Sequence, residues 1–589
     1  MNVFSSLSRE GNAAPADPAV VVTRSGMLTI VGSGVTPWQA FREDLDFVRA
    51  VLEGAGIDFF LVRDTDPRPT VVVDWADRGR LAAALAAACR QEPFYSRTEK
   101  MAKAAKADIA ARARGVVSGT ASEHIELAAS DSAGADPVLF SAENEADVAV
   151  TPILDAVTPS LPERVALLAH GRLSRDRSAR AFTLFRPREA QTGTLRYGAE
   201  CGVPLELWQH VESRRVRPVG DGGATLVVDD VIAPRPNVLL RHSTPSAELE
   251  RATVELYGEE WPTLKGMFDT TSDDVTFDID IVFSWVDGSS AEFQRQRAKR
   301  MASYVVGEGD DHEARFRQLD ELKYAMRSVH LFAPWIRNIY IVTDSPRPEW
   351  LAEHPRVSVL RSEEFFRDPS VLPTHNSHAV ESQLHNIKGL SEHFLYSNDD
   401  MFFGRAVGPE MFFSPGGVSK FILSNTRIGV GERNPNRSGF ENAARVNREV
   451  LRERFGVTIT RHLEHAAAPL RRSVLRELEA EFPEEFARTA AAQFRQATDV
   501  SVTNSLYHYY ALMTGQAVTQ PEAKVRYVDT TAREGVKRMR QLLKRRNHDF
   551  FCLNDGSFPE LDGEERAQAV RWFLERYFPI PAPWERPAV

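Results

Sequence analysis

Apolar residues recur at helical spacing in two long stretches of this chain. Trp38, Phe41, Leu45, Val48 and Leu52 mark one helical face, which Gly54 and Gly56 close. Leu319, Leu322, Met326, Val329 and Phe332 mark another between Arg317 and Phe332, and Pro334 ends it. Shorter apolar runs read as strands. IDFFLVRD (57–64) and TVVVDW (70–75) flank the turn-forming TDPRP, and an Ala-rich helix is expected from Asp77 to Ala88. RAFTLFRP (180–187) and ATLVVDDVI (224–232) continue this texture to about residue 245. Residues 1–24, rich in Ser, Ala, Pro and Asp, read as a disordered N-terminus. Residues 25–265 read as an accessory α/β or α+β domain without a recognisable active site.

The pattern changes near residue 276. DIDIVFSWV (278–286) and NIYIVTD (338–344) are strands on either side of the Arg317–Phe332 helix, which makes a βαβ unit with parallel strands. RVSVL (356–360) and HFLYSNDD (393–400) add strands. Val380, Leu384, Ile387 and Leu390 predict a helix over Ser377–Leu390, and Leu470, Val474, Leu475 and Leu478 predict an amphipathic helix. The expectation for 276–589 is a Rossmann-like, doubly wound α/β catalytic domain with a helical C-terminal part.

A length of 589 residues implies at least two cores. The net charge of −10 argues against a general affinity for nucleic acid. An acidic chain that handles phosphates needs a local Arg cluster or a metal ion. Cys89, Cys201 and Cys552 lie far apart without CxxC spacing, which speaks against zinc or a disulfide framework and for a reducing compartment. No apolar run reaches 18 residues, and the start lacks a signal-peptide pattern. The expected location is the cytoplasm, with docking at the inner face of the membrane left open.

Ligands of open parallel sheets sit beyond the carboxyl ends of the strands. Three predicted strands end there on carboxylates: Asp287, Asp344 and the pair Asp399-Asp400. Paired acidic groups at a strand end suit a hard cation that also grips a diphosphate. Taken singly, each is also an ordinary turn residue. Glu381, His385 and Lys388 share one face of the expected helix, as a solvated stripe or as substrate contacts. Downstream lie His462 and His465, candidates for proton transfer, and Arg495 with Asp499, where arginine offers a fork for phosphate oxygens.

IDIVFSWVDGSS (279–290), RFRQLDELKYAMRSVHLFAPWIRNIYIVTDSPRPEWL (315–351) and LPTHNSHAVESQLHNIKGLSEHFLYSNDDMFFG (372–404) resemble, in order, signature blocks of the Stealth proteins. A fourth resemblance runs from His465 through FPEEF (482–486) and FRQATDVSVTNSLYHYYALMTG (494–515) to FFCLNDG (550–556). These are bacterial capsular and exopolysaccharide hexose-1-phosphotransferases, together with the catalytic subunit of the animal GlcNAc-1-phosphotransferase. The resemblance implies a UDP-sugar donor with Mg²⁺ or Mn²⁺ and a glycan acceptor. An acceptor hydroxyl attacks the phosphorus attached to the sugar and UMP leaves. It implies catalytic roles for His465, Asp400, Arg495 and Asp399, and metal binding by Asp399, Asp400 and Asp287. It implies substrate contacts at Trp285, Asp287, Gly288, Arg317, Glu321, Arg327, Asn398 and Asn554, with Asp555 in the closing motif; Glu381 and His385 stand as substrate-contact candidates from their shared helix face alone. His465 is followed by three alanines before Pro469, a departure from the family pattern that leaves His462 as its competitor. The rival readings are a GT-A-like glycosyltransferase that releases UDP and an inert glycan-binding protein.

Overall fold

Thr36 starts helix α1 (Pro37–Gly54). Its hydroxyl accepts the Gln39 N–H while the Gln39 side chain accepts the Thr36 N–H, a closed capping box with proline in the first turn. Phe41, Leu45, Val48 and Leu52, four of the five residues that predict this helix, are fully buried. Strands β1 (Phe59–Val62) and β2 (Thr70–Asp74) pair antiparallel around the TDPRP turn, and α2 (Arg78–Ala88) follows. The structure, a computed structural model, describes residues 19–22, 27–102, 125–126, 161–218, 226–288, 295, 319–556 and 559–587. Ala19–Val22, inside the stretch expected to be disordered, is a strand paired with Leu28–Val31.

The chain divides into two compact units between Asp269 and Thr270. In the first, β1 and β2 join β3 (Tyr95–Thr98), β4 (Val165–Leu167), β5 (Ala181–Phe185), β6 (Val203–Pro218), β7 (Arg251–Leu256) and β8 (Glu259–Leu264). Their order is β7-β8-β1-β2-β6-β5-β3-β4. Only the β8–β1 and β2–β6 pairs along this path are parallel, so the unit is α+β rather than α/β.

The second unit is built on β9 (Ile279–Ser284), α3 (Glu321–Phe332), β10 (Ile339–Val342), β11 (Val357–Leu360), α4 (Ser377–Glu381), β12 (His393–Asn398) and β14 (Ala468–Arg471). The sheet order is β11-β10-β9-β12-β14; the first four strands are parallel and β14 is antiparallel. The chain steps outward from β9 to β10 and β11, then returns past β9 to β12. Strand order therefore reverses between β9 and β12, where an open sheet leaves a crevice. Ser284 and Asn398, the last residues of those strands, are register partners. A second sheet, β13 (Met401–Phe403), β16 (Phe550–Asn554) and β15 (Val525–Asp529), grows directly out of the turn after β12.

Two expectations fail here. The helix over Ser377–Leu390 stops at Glu381, and the chain continues as a single 3-10 turn, Leu384–Asn386. Leu384, Ile387 and Leu390 are still buried, but in an irregular path that carries the His385 ring to Glu479, so core packing overrides the helical period. Glu381, His385 and Lys388 consequently share no face. Leu470 belongs to β14, and its helix begins only at Arg472.

Candidate active site

The small sheet decides which polar groups meet at the crevice. Cys552 on β16 pairs with Met401 on one side and Tyr527 on the other, which places Asp400, Cys552 and Tyr527 side by side. The Cys552 thiol donates to Asp400 Oδ2 at 3.3 Å, and Asn554 Nδ2 donates to the same oxygen at 3.3 Å. Asp400 Oδ1 is shut off from solvent without a hydrogen-bond partner. Burial, with the charges of Glu321 and Asp555 against the Cys552 hydrogen bond, raises the Asp400 carboxyl to about 6.

Glu321 opens α3, and its carboxylate accepts the N–H of Leu319 at 2.6 Å. Burial and the neighbouring Asp399 charge push it up to about 7. Glu321, Asp399, Asp400 and Asp555 thus form one like-charged cluster at the strand ends. Asp555 is counterbalanced by Arg566, and it also accepts from Thr530 Oγ1 at 2.7 Å. Gly556 closes this turn against Asp529: a Cβ there would meet the Asp529 carboxylate at 2.1 Å and displace it.

His465 lies on the other side of Cys552, its Nδ1 3.9 Å from Sγ. Burial and the charge of His462 lower its pKa, which keeps the ring neutral and able to accept a proton. Two large aromatic side chains that stay more than a third exposed, Phe440 at 37% and Tyr527 at 38%, pack on this ring, with centroids 6.3 and 5.3 Å away. Phe440 also stacks on His462 at 4.8 Å. Helix α5 (Gly439–Phe455) begins one residue earlier, where a Cβ on Gly439 would meet the Arg495 side chain at 2.7 Å. Arg495 therefore lies against the same wall. It donates to Ser377 Oγ at 2.9 Å, and its charge acts on Tyr396, whose hydroxyl donates to Glu381. Glu381 itself is buried and also accepts from Thr503 Oγ1 at 2.6 Å.

Of the residues singled out in the sequence, Asp399, Asp400, Glu321, Asn554, Asp555 and His465 converge. Trp285 is buried just past β9, and Asp287 and Gly288 form the turn beyond it, with the Asp287 N–H donating to Ser345 Oγ at 2.8 Å. Asn398 ends the adjacent strand. Arg317 lies outside the described residues. Arg327 is elsewhere engaged, its fork closed on both oxygens of Glu585 at 2.6 and 2.7 Å and on the Phe578 carbonyl at 2.8 Å. His385 bonds Glu479 at 2.9 Å, and Lys388 is exposed. Asp344 caps Ser362, accepting its N–H and hydroxyl at 2.9 and 2.8 Å. Asp499 is buried and accepts from Asn376 Nδ2 at 2.8 Å. Sequence reasoning missed Cys552, Tyr527, Phe440 and Arg566; the only signal for Cys552 was its place two residues before Asn554.

Among the described residues, no group of three or more His, Cys, Asp or Glu is arranged to hold a metal ion. Asp287, Asp399 and Asp400 are thus not a ready-made cage. The unpartnered Asp400 oxygen still suits a hard cation of the kind that takes one or two carboxylates and completes its shell with substrate phosphates and water.

Sequence models of the Stealth family match at residues 277–305 (Stealth protein CR1, conserved region 1), 315–421 (CR2), 464–512 (CR3) and 540–589 (CR4). The chain is 51% identical over 582 residues to the exopolysaccharide phosphotransferase CpsY of Mycobacterium tuberculosis, covering 98% of this chain and 95% of that one. The chain belongs to the Stealth family. An exopolysaccharide phosphotransferase of Nocardia farcinica is 63% identical over 384 residues, 65% of this chain and 73% of the other. A crystal structure of the galactosyltransferase LgtC with donor and acceptor sugar analogues aligns over 51% of this chain and 96% of its own, at 11% identity and a TM-score of 0.27, too low to bear on the chemistry. The family regions divide differently from the blocks read in the sequence: 315–351 and 372–404 fall in one region, while His465 and the closing FFCLNDG fall in two. Membership in this sugar-phosphotransferase family makes the chain a transferase.

Proposed function

We propose that this protein transfers a hexose-1-phosphate, such as GlcNAc-1-phosphate, from a UDP-sugar to a hydroxyl of an acceptor glycan during exopolysaccharide, capsule or cell-wall glycan synthesis. The observation that carries the reading is the Asp400 carboxylate, one oxygen buried and unpartnered, beside a neutral His465 at the strand-order reversal. The acceptor oxygen attacks the phosphorus attached to the sugar, the bond to the bridging oxygen breaks, and UMP leaves with that oxygen. His465, its ring neutral, takes the acceptor's proton. Phe440 and Tyr527 offer exposed faces to a sugar ring beside it. Arg495 balances charge on the equatorial phosphate oxygens, with Arg317 as a second candidate. The turn Trp285–Gly288 and Asn398 line the donor side. Asp400 and Asp399, with Asp287 as a third candidate, would hold a Mg²⁺ or Mn²⁺ ion, which when bound neutralises the donor diphosphate.

No helix among the described residues is long and apolar enough to cross a membrane. We place the reaction on the cytoplasmic side, where nucleotide-sugars are made, with peripheral contact to a membrane-bound acceptor. The test is a panel of UDP-sugars incubated with the protein, Mg²⁺ and an oligosaccharide acceptor, with the released nucleotide identified. UMP is expected. Release of UDP would assign the protein to glycosyl transfer instead, and consumption of no donor would leave a binding protein.

A further inference from the structure

Residues 427–448 carry five arginines and two glutamates, in a chain whose net charge is −10. Arg445 on α5 is 2% exposed, and its Nε is sealed from solvent without a hydrogen-bond partner. Its Nη1 donates to the Glu441 carbonyl at 2.8 Å, one turn earlier on the helix. The same Nη1 lies 3.5 Å from Glu441 Oε2, and Arg437 Nη1 lies 3.5 Å from that same oxygen. Two guanidinium groups therefore already reach one anionic atom. Both contacts are longer than the roughly 2.8 Å of a close charge-assisted hydrogen bond. A buried guanidinium held so loosely is costly. Burial and the charges of Arg437 and Arg448, with Glu441 acting against them, lower the Arg445 pKa. The loop that brings Arg437 here is tied to α5. Buried Asn442 accepts the Asn434 N–H at 2.9 Å and donates to the carbonyls of Asn434 and Arg437 at 2.8 and 3.2 Å. Arg448 holds the Gly429 and Gly431 carbonyls at 3.0 and 3.1 Å. This cluster adjoins the proposed base: Phe440 packs on His462 and His465, and the charges of Glu441 and Arg445 both act on His462.

We propose that Arg437 and Arg445 form an anion subsite for a phosphate or phosphodiester group carried by the acceptor, with Glu441 as a placeholder that this group displaces. The assignment rests on the reading of His465 as the base for the acceptor hydroxyl. On that reading the donor diphosphate belongs to the carboxylate side, whereas Phe440 joins the arginines to the face offered to the acceptor's sugar ring. Glu441, tethered one helical turn from Arg445, stops 3.5 Å short of both forks, and a diffusible phosphate oxygen can close on them. Glu441 stands in the first turn of α5, which favours negative charge whichever group supplies it. The side chains of Glu441 and Arg437 are 50% and 41% exposed, so the group enters from their side.

The test uses the full chain with a chelator present, so that no metal-held phosphate contributes, and two probes: methyl glucoside 6-phosphate and neutral methyl glucoside. Wild type should bind the phosphorylated probe more tightly. Arg445→Gln should lower that affinity about 10- to 100-fold, as expected for lost hydrogen bonds to a charged group. Glu441→Gln should raise it, because the competing carboxylate is gone. If Arg445→Gln does not fold, Arg437→Gln, at the exposed side of the subsite, is read in its place. Turnover then fixes the source of the phosphate. With an accepted UDP-sugar and a phosphate-bearing acceptor, the arginine variants should raise KM for the acceptor and not for the donor. A rise confined to the donor would give the pair to the donor diphosphate and overturn the acceptor subsite. Equal binding of the two probes by wild type, arginine variants that bind as wild type does, or a folded Glu441→Gln that binds no tighter also overturns it. Should no UDP-sugar be consumed, the binding measurements still decide the subsite, so its failure is distinct from that of the proposed reaction.

Discussion

Two regions of the second unit both bury charge, and they do so in opposite ways. Where α3 meets the C-terminal segment, Arg327 closes on both oxygens of Glu585 and on a main-chain carbonyl, and elsewhere in the unit His385 is matched to Glu479. Each of these charged groups faces a partner of opposite sign. At the ends of β9 and β12 the arrangement is reversed: four carboxylates crowd together, Asp400 and Glu321 are displaced upward to about 6 and about 7, and one buried oxygen has no partner. Buried pairs hold a fold together, whereas frustrated groups of one sign persist where a ligand completes them. Residue type alone does not separate the two, since Arg327 and Arg495, or His385 and His465, look alike in the sequence.

The largest effect should come from removing the frustrated charge. Asp400→Asn is expected to lower kcat/KM roughly 10³-fold or more, and a chelator should do the same to wild type. Stability should move the other way. A carboxyl raised in the fold contributes stability that is complete below its unfolded value and is lost as pH rises through the folded value. For Asp400 that window runs from its ordinary 3.8 to about 6, and for Glu321 from 4.5 to about 7. Above it, Asp400→Asn should melt higher than wild type. A dead variant that also melts far lower at pH 7.5 would make Asp400 a structural residue.

The two histidines sharpen the comparison. His465→Ala should cost roughly 10²–10⁴ in rate with an unchanged melting temperature. His385→Ala should lower the melting temperature, since it strips Glu479 of a buried partner, and keep its rate per folded molecule. Because burial and His462 hold His465 below the ordinary histidine value, the rising limb of the pH–rate profile should lie below 6.5. If His462→Ala carries the catalytic loss instead, the base sits three residues earlier.

How much of this was legible in the sequence follows from where each signal lies. Apolar spacing located α1, α3 and the strands β9, β10 and β12, because in each case the residues that repeat are the ones that end up buried. The same rule misjudged Ser377–Leu390, where Leu384 and Ile387 are buried without a helix to carry them. Strand ends marked Asp399 and Asp400. Nothing local marked Tyr527, and only its place two residues before Asn554 marked Cys552; their role arises from the register of β13, β15 and β16, strands more than a hundred residues apart at their extremes. Nor could the pattern distinguish Arg327 from Arg495, since the Glu585 that claims Arg327 lies at the far end of the chain.

Breaking the paired region should affect stability alone. Arg327→Ala leaves Glu585 buried beside the more distant Lys323, at 3.8 Å, and should cost about 3–5 kcal/mol in a denaturant melt. The rate per folded molecule should hold. A loss of donor affinity in the remaining folded protein would return Arg327 to the substrate contacts.

The smallest effect should fall on Cys552, which touches both halves of the site without belonging to either role. Its thiol donates to Asp400 Oδ2 and stands 3.9 Å from His465, so it sets the spacing between carboxylate and base. Burial and the Asp400 charge hold that thiol well above its ordinary pKa, so it stays protonated and is a poor nucleophile. Cys552→Ser keeps a donor toward Asp400 and should lose only a few-fold in kcat. Cys552→Ala leaves Asn554 as the remaining donor to that oxygen, so the Asp400 carboxyl should titrate higher and the lower limb of the pH–rate profile should shift upward. A melting loss in Cys552→Ala with an unmoved pH profile would mean that Cys552 fills space in β16 and nothing more. Complete inactivation of Cys552→Ser, with the fold intact, would mean that the thiol takes part in the chemistry and that the division between frustrated and paired groups has left out a member.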